Sequence, residues 1–132
     1  HAVAAHSSPV LGRLVDTLRR ATDGMEPISA DELVARSDEG LVTVVDVRPP
    51  EEFASGHIPR AINIPLGRLS GESARLPPER EVVAYCRGVL CIMSMEAVAH
   101  LRTAGLSARR LEFGFPEWRA SGRPVASLPP SA

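Results

Sequence analysis

The chain contains no lysine: every one of its fifteen basic side chains is arginine. With alanine abundant, this reads as the coding bias of a GC-rich genome rather than a functional demand. Net charge is nearly absent too. Fifteen basic against sixteen acidic residues leave −1, so there is little net attraction toward nucleic acid or anionic lipid. Direct nucleic-acid contact is therefore not expected of this chain. Cysteine is scarce, with only Cys86 and Cys91 in 132 residues. A chain of this size does not need stapling, so a secreted disulfide framework is not indicated and a reducing, cytoplasmic setting is expected. No apolar run approaches the roughly 20 residues of a membrane span, and no charged-then-apolar segment opens the chain, so no membrane role is expected. The chain starts at His1 and not at Met, which fits either a trimmed chain or one domain of a longer protein.

What is present suits a single domain: at 44% hydrophobic, the chain can bury about two-thirds of its unfolded surface. Ser8-Pro9 offers an N-cap and a first-turn proline, and Leu11, Leu14, Val15 and Leu18 form one apolar stripe, so a helix is expected over 9–21. The stripe could pack on the domain or pair with a second chain. Residues 1–25 are thus read as an N-terminal segment, a linker from an upstream domain in one interpretation. From Pro27 the pattern alternates. Ile28 is a short strand candidate, and Ser29 with Glu32 makes a capping box for a helix to about Ser37. Leu41 to Asp46 is apolar and β-branched almost without interruption, as in a strand buried on both faces. Further strands are expected at 61–64, 82–85 and 109–111, with helices at 50–55, 66–69, 92–104 and 115–121. Strand and helix in alternation with short connections argue for an α/β layered domain over 26–125, followed by an irregular tail over 126–132. Such sheets place their chemistry at the carboxyl ends of strands, which here means Asp46 and Cys86.

The most informative segment runs from Glu81 to Ser94. A buried strand, Val82 to Tyr85, leads directly into Cys86; Arg87-Gly88-Val89-Leu90-Cys91 follows, and a helix opens at Ile92. A loop so placed can turn successive backbone N–H groups inward, and the helix N-terminus adds partial positive charge. The Cys86 thiolate would be stabilised there and become a usable nucleophile near neutral pH. The plainer alternative is an inert small hydrophobe at a strand end. A zinc site is not expected, because two cysteines lack the second ligand pair that structural zinc requires. No metal or organic cofactor is called for.

Several stretches together resemble the rhodanese-like domains. They are Asp46-Val47-Arg48 with Glu51-Glu52-Phe53, Gly56-His57-Ile58-Pro59, Ala61-Ile62-Asn63-Ile64-Pro65, Tyr85-Cys86-Arg87, Gly114-Phe115-Pro116-Glu117-Trp118, and Gly122-Arg123-Pro124-Val125. The resemblance covers about residues 26–125. It implies a five-stranded parallel sheet flanked by helices on both faces, with Cys86 opening a six-residue active loop that ends at Cys91. It also implies a sulfurtransferase that takes sulfane sulfur from a small donor, holds it as a Cys86 persulfide and passes it to a thiol acceptor. The candidate substrate-binding residues are Arg87, Gly88, Val89, Leu90, Cys91 and Ile92 of the loop, with Asp46 and Arg48 at the neighbouring strand end. Arg87 could hold an anionic donor or simply be solvated; Asp46 and Arg48 could shape the pocket or form a structural ion pair. His57 is read as stabilising a turn, Phe115 and Trp118 as core, and His100 as surface.

Three departures from the family pattern stand out. Cys91 occupies the last loop position, where thiosulfate-using members often carry Arg. Gly88 is third in the loop where many members place glycine fourth, and Arg60 stands where Gly usually follows Gly-His-Ile-Pro. Cys91 opens an alternative, a redox, reactive-sulfur or arsenic-sensing regulatory domain in which it resolves oxidised or persulfidated Cys86 into a disulfide. Such a bridge needs Cα atoms within about 7 Å, which spacing alone does not establish. Phosphatase chemistry is disfavoured, since the residue six after Cys86 is Ile92 and not the arginine that would clamp a phosphoryl group. The Cys-Arg-Gly loop with a second cysteine, followed by Arg109-Arg110-Leu111-Glu112, also resembles rhodanese domains fused behind ArsR-like transcriptional regulators. That resemblance implies an upstream DNA-binding domain, with dimerisation through the 9–21 helix.

Overall fold

A computed structural model describes residues 27–88 and 92–129. The helix expected over 9–21, the loop residues Val89, Leu90 and Cys91, and the end of the tail lie outside the described residues.

Helix α1 (Ala30–Asp38) begins where Ser29 Oγ accepts a hydrogen bond from the Glu32 amide at 3.1 Å, and Asp31 and Glu32 place negative charge in its first turn. It stops at Gly40, whose φ of +72° lets the chain reverse while the Gly40 and Leu41 amides reach back to Ser37 and Arg36. Strand β1 (Val42–Asp46) follows at once, and helix α2 (Pro50–Ser55) opens on a proline suited to the first turn. Strand β2 is reduced to Ile62–Asn63. A 3₁₀ turn (Leu66–Arg68), helix α3 (Leu69–Glu72) and a second 3₁₀ turn (Ser73–Arg75) lead to strand β3 (Glu81–Tyr85). Helix α4 (Ile92–Thr103), strand β4 (Ala108–Arg110) and helix α5 (Phe115–Ala120) complete the order.

The sheet is parallel in the order β2-β1-β3-β4, with Val45 opposite Ala84 and Asp46 opposite Tyr85 in its centre. Among the described residues four strands form, not five. The expected fifth, at Ile28, is a single parallel bridge to Leu111, made by the Ile28 amide on Arg110 O and the Glu112 amide on Ile28 O, each at 2.9 Å. On its C-terminal side the pairing stops at once because Ser29 already caps α1.

Alternation along β1 and β3 divides the core. Val42, Val44, Val83 and Tyr85 face a layer containing Leu33 of α1, Phe53 of α2, and Phe115 and Trp118 of α5. Val45, Val82, Ala84 and Cys86 face Leu69 of α3 and Ala97, Val98 and Leu101 of α4. Helices therefore cover both faces, which is why β1 and β3 are apolar without a polar side. Each of the buried valine and leucine side chains contributes about 1.5–3 kcal/mol relative to exposure. Downstream of α5, Ala126 and His57 exchange amide hydrogen bonds at 2.9 and 2.8 Å, which ties this part of the chain to the end of α2.

Candidate active site

The chain passes from β1 outward to β2, then returns to the other side of β1 for β3 and continues to β4. The strand order reverses between β1 and β3. Their carboxyl ends bring Asp46 and Tyr85-Cys86 side by side at this switch point, where open parallel sheets leave a crevice for chemistry.

Cys86 directly follows β3 and is 1% exposed, packed in the layer of α4. Its backbone carbonyl accepts from the Phe115 amide at 2.9 Å, so the first turn of α5 holds the start of the loop. Its sulfur is disulfide-bonded, and the described residues contain no free cysteine. Arg87 extends to α2, where its guanidinium grips Glu52 in a forked pair: Nε lies 2.9 and 3.0 Å from the carboxylate oxygens and Nη2 lies 2.5 Å from Oε2. The hydrogen bond from Arg87 holds the Glu52 carboxyl below its ordinary range against a smaller opposing effect of burial, and the same bond raises the Arg87 guanidinium. Gly88 continues the loop, and Ile92 opens α4 with 64% of its surface exposed.

Asp46 and Arg48 form a buried ion pair, with side chains 0% and 6% exposed. Arg48 Nε lies 3.0 and 3.1 Å from the two carboxylate oxygens, Nη2 is 2.7 Å from Oδ2, and Nη2 also donates to Gly56 O at 2.6 Å. The Arg48 amide donates to Asp46 Oδ1 as well. The guanidinium sits 4.5 Å from the Phe115 ring centroid and 5.7 Å from that of Tyr85. Burial pulls the Arg48 pKa down, but the hydrogen bonds and charge of Asp46 outweigh it and the net direction is upward. Burial first, and the Asp46 carboxylate second, push the Tyr85 phenol upward, so it remains a hydroxyl that accepts from the Ile58 amide at 3.1 Å. Asp46 and Arg48 are thus engaged as a hub joining β1, α2 and α5. Arg48 also borders an open cleft of about 360 Å³ between α2 and α5, lined by Glu51, Glu52, Ser55, Gly56, Phe115 and Arg119.

His57 Nδ1–H donates to Phe53 O at 2.6 Å, and the imidazole stacks on the Phe53 ring, a turn-holding position. Phe115 and Trp118 are core, and His100 lies on the exposed side of α4. Two participants carry no sign of their part in the sequence. Glu52 stands 35 residues from Arg87, beyond the reach of local pattern. Gly114 lies against the loop backbone; the Gly-Phe-Pro-Glu motif flags a helix start, with the Gly114 amide donating to Glu117 Oε1 at 2.9 Å, but gives no sign of what the glycine touches.

Comparison with known proteins agrees with this architecture. A family model for the rhodanese-like domain matches residues 29–121. An HTH-type transcriptional regulator of Mycobacterium tuberculosis is 46% identical over 123 residues, covering 93% of this chain and 50% of the regulator. The chain therefore spans half the length of that relative. A sulfurtransferase of Allochromatium vinosum is 32% identical over 102 residues, covering 76% of this chain and 94% of that protein. Among solved structures, the rhodanese-related protein of Thermoplasma volcanium superposes with a TM-score of 0.68 at 31% identity, covering 76% of this chain and 97% of that one. The BH2092 protein of Bacillus halodurans gives 0.74 at 27% identity, covering 85% of each chain.

Proposed function

The chain belongs to the rhodanese-like domain family, and from that premise we propose that it moves sulfane sulfur from a small donor to a thiol acceptor through a persulfide on Cys86. The observation that carries this reading is the position of Cys86, on the carboxyl end of β3 at the reversal between β1 and β3. In the first step the reduced Cys86 thiolate attacks the outer sulfur of the donor. A bond forms between the two sulfurs, and the donor's remaining group leaves with the electron pair of the broken bond. In the second step an acceptor thiolate attacks the outer sulfur of the persulfide, and the Cys86 thiolate is regenerated as the leaving group. Asp46 and Arg48 act from behind as the brace that fixes the ends of β1 and α2. Arg87 and Gly88 form the described part of the loop, and Val89, Leu90, Cys91 and Ile92 complete the proposed cradle.

A second reading is favoured by the disulfide at Cys86. Cys91 is the only other cysteine of the sequence, so an intrachain bridge would join these two. In this reading Cys91 thiolate attacks Cys86 Sγ of the persulfide, forms the disulfide and releases hydrosulfide, a step that needs no oxidant beyond the sulfur donor. The likeness to an HTH-type regulator twice as long supports a role as the sulfur-responsive part of a DNA-binding protein.

Cyanolysis assays with several sulfane donors test the proposal on wild type, Cys86→Ser and Cys91→Ser. The enzyme reading expects Cys86→Ser to lose turnover and Cys91→Ser to keep it. Turnover that survives in Cys86→Ser refutes it. If Cys91→Ser accumulates persulfide while wild type converts to the bridged form, the sensing reading gains.

A further inference from the structure

Glycine at position 114 is not demanded by the backbone. Its φ of −92° and ψ of −174° are extended values that any residue adopts. Space demands it instead. A Cβ built there would lie 2.2 Å from Gly88 N, 2.4 Å from the Arg87 carbonyl carbon and 2.6 Å from Gly88 Cα, all of them backbone atoms of the loop that Cys86 opens. Real Cβ atoms essentially never approach neighbours within 3.0 Å, so a side chain at 114 would push the loop backbone away by most of an ångström. Among the described residues, Gly88 itself meets nothing within 4 Å of its own hypothetical Cβ.

The contact is fixed from both sides. The Phe115 amide donates to Cys86 O at 2.9 Å immediately after Gly114, and the Gly114 amide is clamped by Glu117 Oε1 at 2.9 Å, so the first turn of α5 cannot readily retreat. Phe115 is buried against Tyr85 and under the Arg48 guanidinium, which anchors this turn in the core. We propose that Gly114 is a positioning residue: the Arg87-Gly88 backbone rests on it, and its missing side chain sets where that backbone, with the Gly88 amide, lies beside Cys86. This rests on the reading of Cys86 as the reactive thiol. Amide N–H groups stabilise a thiolate only at close range, so a displaced loop raises the Cys86 pKa and lowers its reactivity at neutral pH.

The test is the pH profile of Cys86 alkylation by iodoacetamide in the reduced full chain. Trypsin cleavage after Arg80, Arg87 and Arg102 puts Cys86 in the peptide 81–87 and Cys91 in 88–102, so mass spectrometry follows each separately. Gly114→Ala is compared with Gly122→Ala, whose φ of +81° makes it a backbone-strained control just after α5 with no described residue within 4 Å of its Cβ. The expected result is a profile moved to higher pH in Gly114→Ala, with alkylation at pH 7 slowed about 5-fold or more, corresponding to a shift of most of a pKa unit. Gly122→Ala should lose thermal stability yet keep the wild-type profile. An unchanged profile in Gly114→Ala, or equal shifts in both variants, overturns the proposal. Should Gly114→Ala not fold, Glu117→Ala, which only releases the Gly114 amide, is expected to move the profile in the same direction by less, and no movement again overturns it. Alkylation reads the thiolate and not sulfur transfer, so loss of the enzymatic reading would leave this result standing, and the converse.

Discussion

At the scale of single residues, the site combines one buried ion pair and one exposed one, and they differ in what their loss does. Asp46 and Arg48 are almost without solvent, so Asp46→Asn would strand a buried guanidinium charge. We expect about 3–5 kcal/mol of destabilisation, read by urea unfolding of the reduced protein. A loss under 1 kcal/mol would mean that water reaches Arg48. Glu52 and Arg87 are partly exposed, and Glu52→Gln should cost less than about 1 kcal/mol. The Glu52 carboxyl is held below its ordinary range in the folded protein, so its stabilising contribution is present above the ordinary glutamate value and is lost as pH falls through the lowered folded one. The small difference in Tm between wild type and Glu52→Gln should therefore appear at pH 7 and vanish in strong acid. Freed from Glu52, Arg87 should also lower KM for an anionic donor such as thiosulfate by roughly 2–5-fold, the range of an exposed pair, with KM for an uncharged donor unmoved. The place of Cys86 directly after β3 was legible in the sequence because the apolar run Val82 to Tyr85 leads straight into it. The partnership of Arg87 with Glu52 was not, since it joins two elements through space.

At the scale of elements, α4 carries the face of the sheet on which Cys86 lies, and Leu101 in that helix is fully buried among Val82, Ala84 and Val98. Leu101→Ala removes a large core side chain and should cost about 2–5 kcal/mol, measured by chemical denaturation. The central strands were readable because burial on both faces leaves a β-branched run with no polar alternation, as in Leu41 to Asp46 and Val82 to Tyr85. The edges were less so. The span 61–64 yields a strand of only Ile62–Asn63, and Ile28 pairs through one residue. Both lie beside prolines or caps that limit the ladder more than side-chain pattern reveals. Helix α3 likewise arises within a chain of single turns that no strong apolar period announces.

At the scale of the whole molecule, the sheet is covered on both faces and its least protected backbone lies at β2 and the Ile28 bridge. Native-state hydrogen exchange should be slowest at Val45 and Val83 and faster at Ile62, and a uniform rate across the sheet would contradict this division of the core. Alternating strands and helices made the layered α/β plan legible from sequence, and the resemblance in several separated motifs made the family legible. Strand count was not, because one residue decides it. Cys86 as the sulfur carrier is tested most directly by tryptic mass spectrometry of the reduced chain after brief treatment with a sulfane donor, without reductant. One added sulfur atom is expected on the peptide 81–87, or that peptide joined to 88–102 where Cys91 has resolved it. Added sulfur on 88–102 alone, or none on either peptide, would contradict Cys86 as the sulfur carrier.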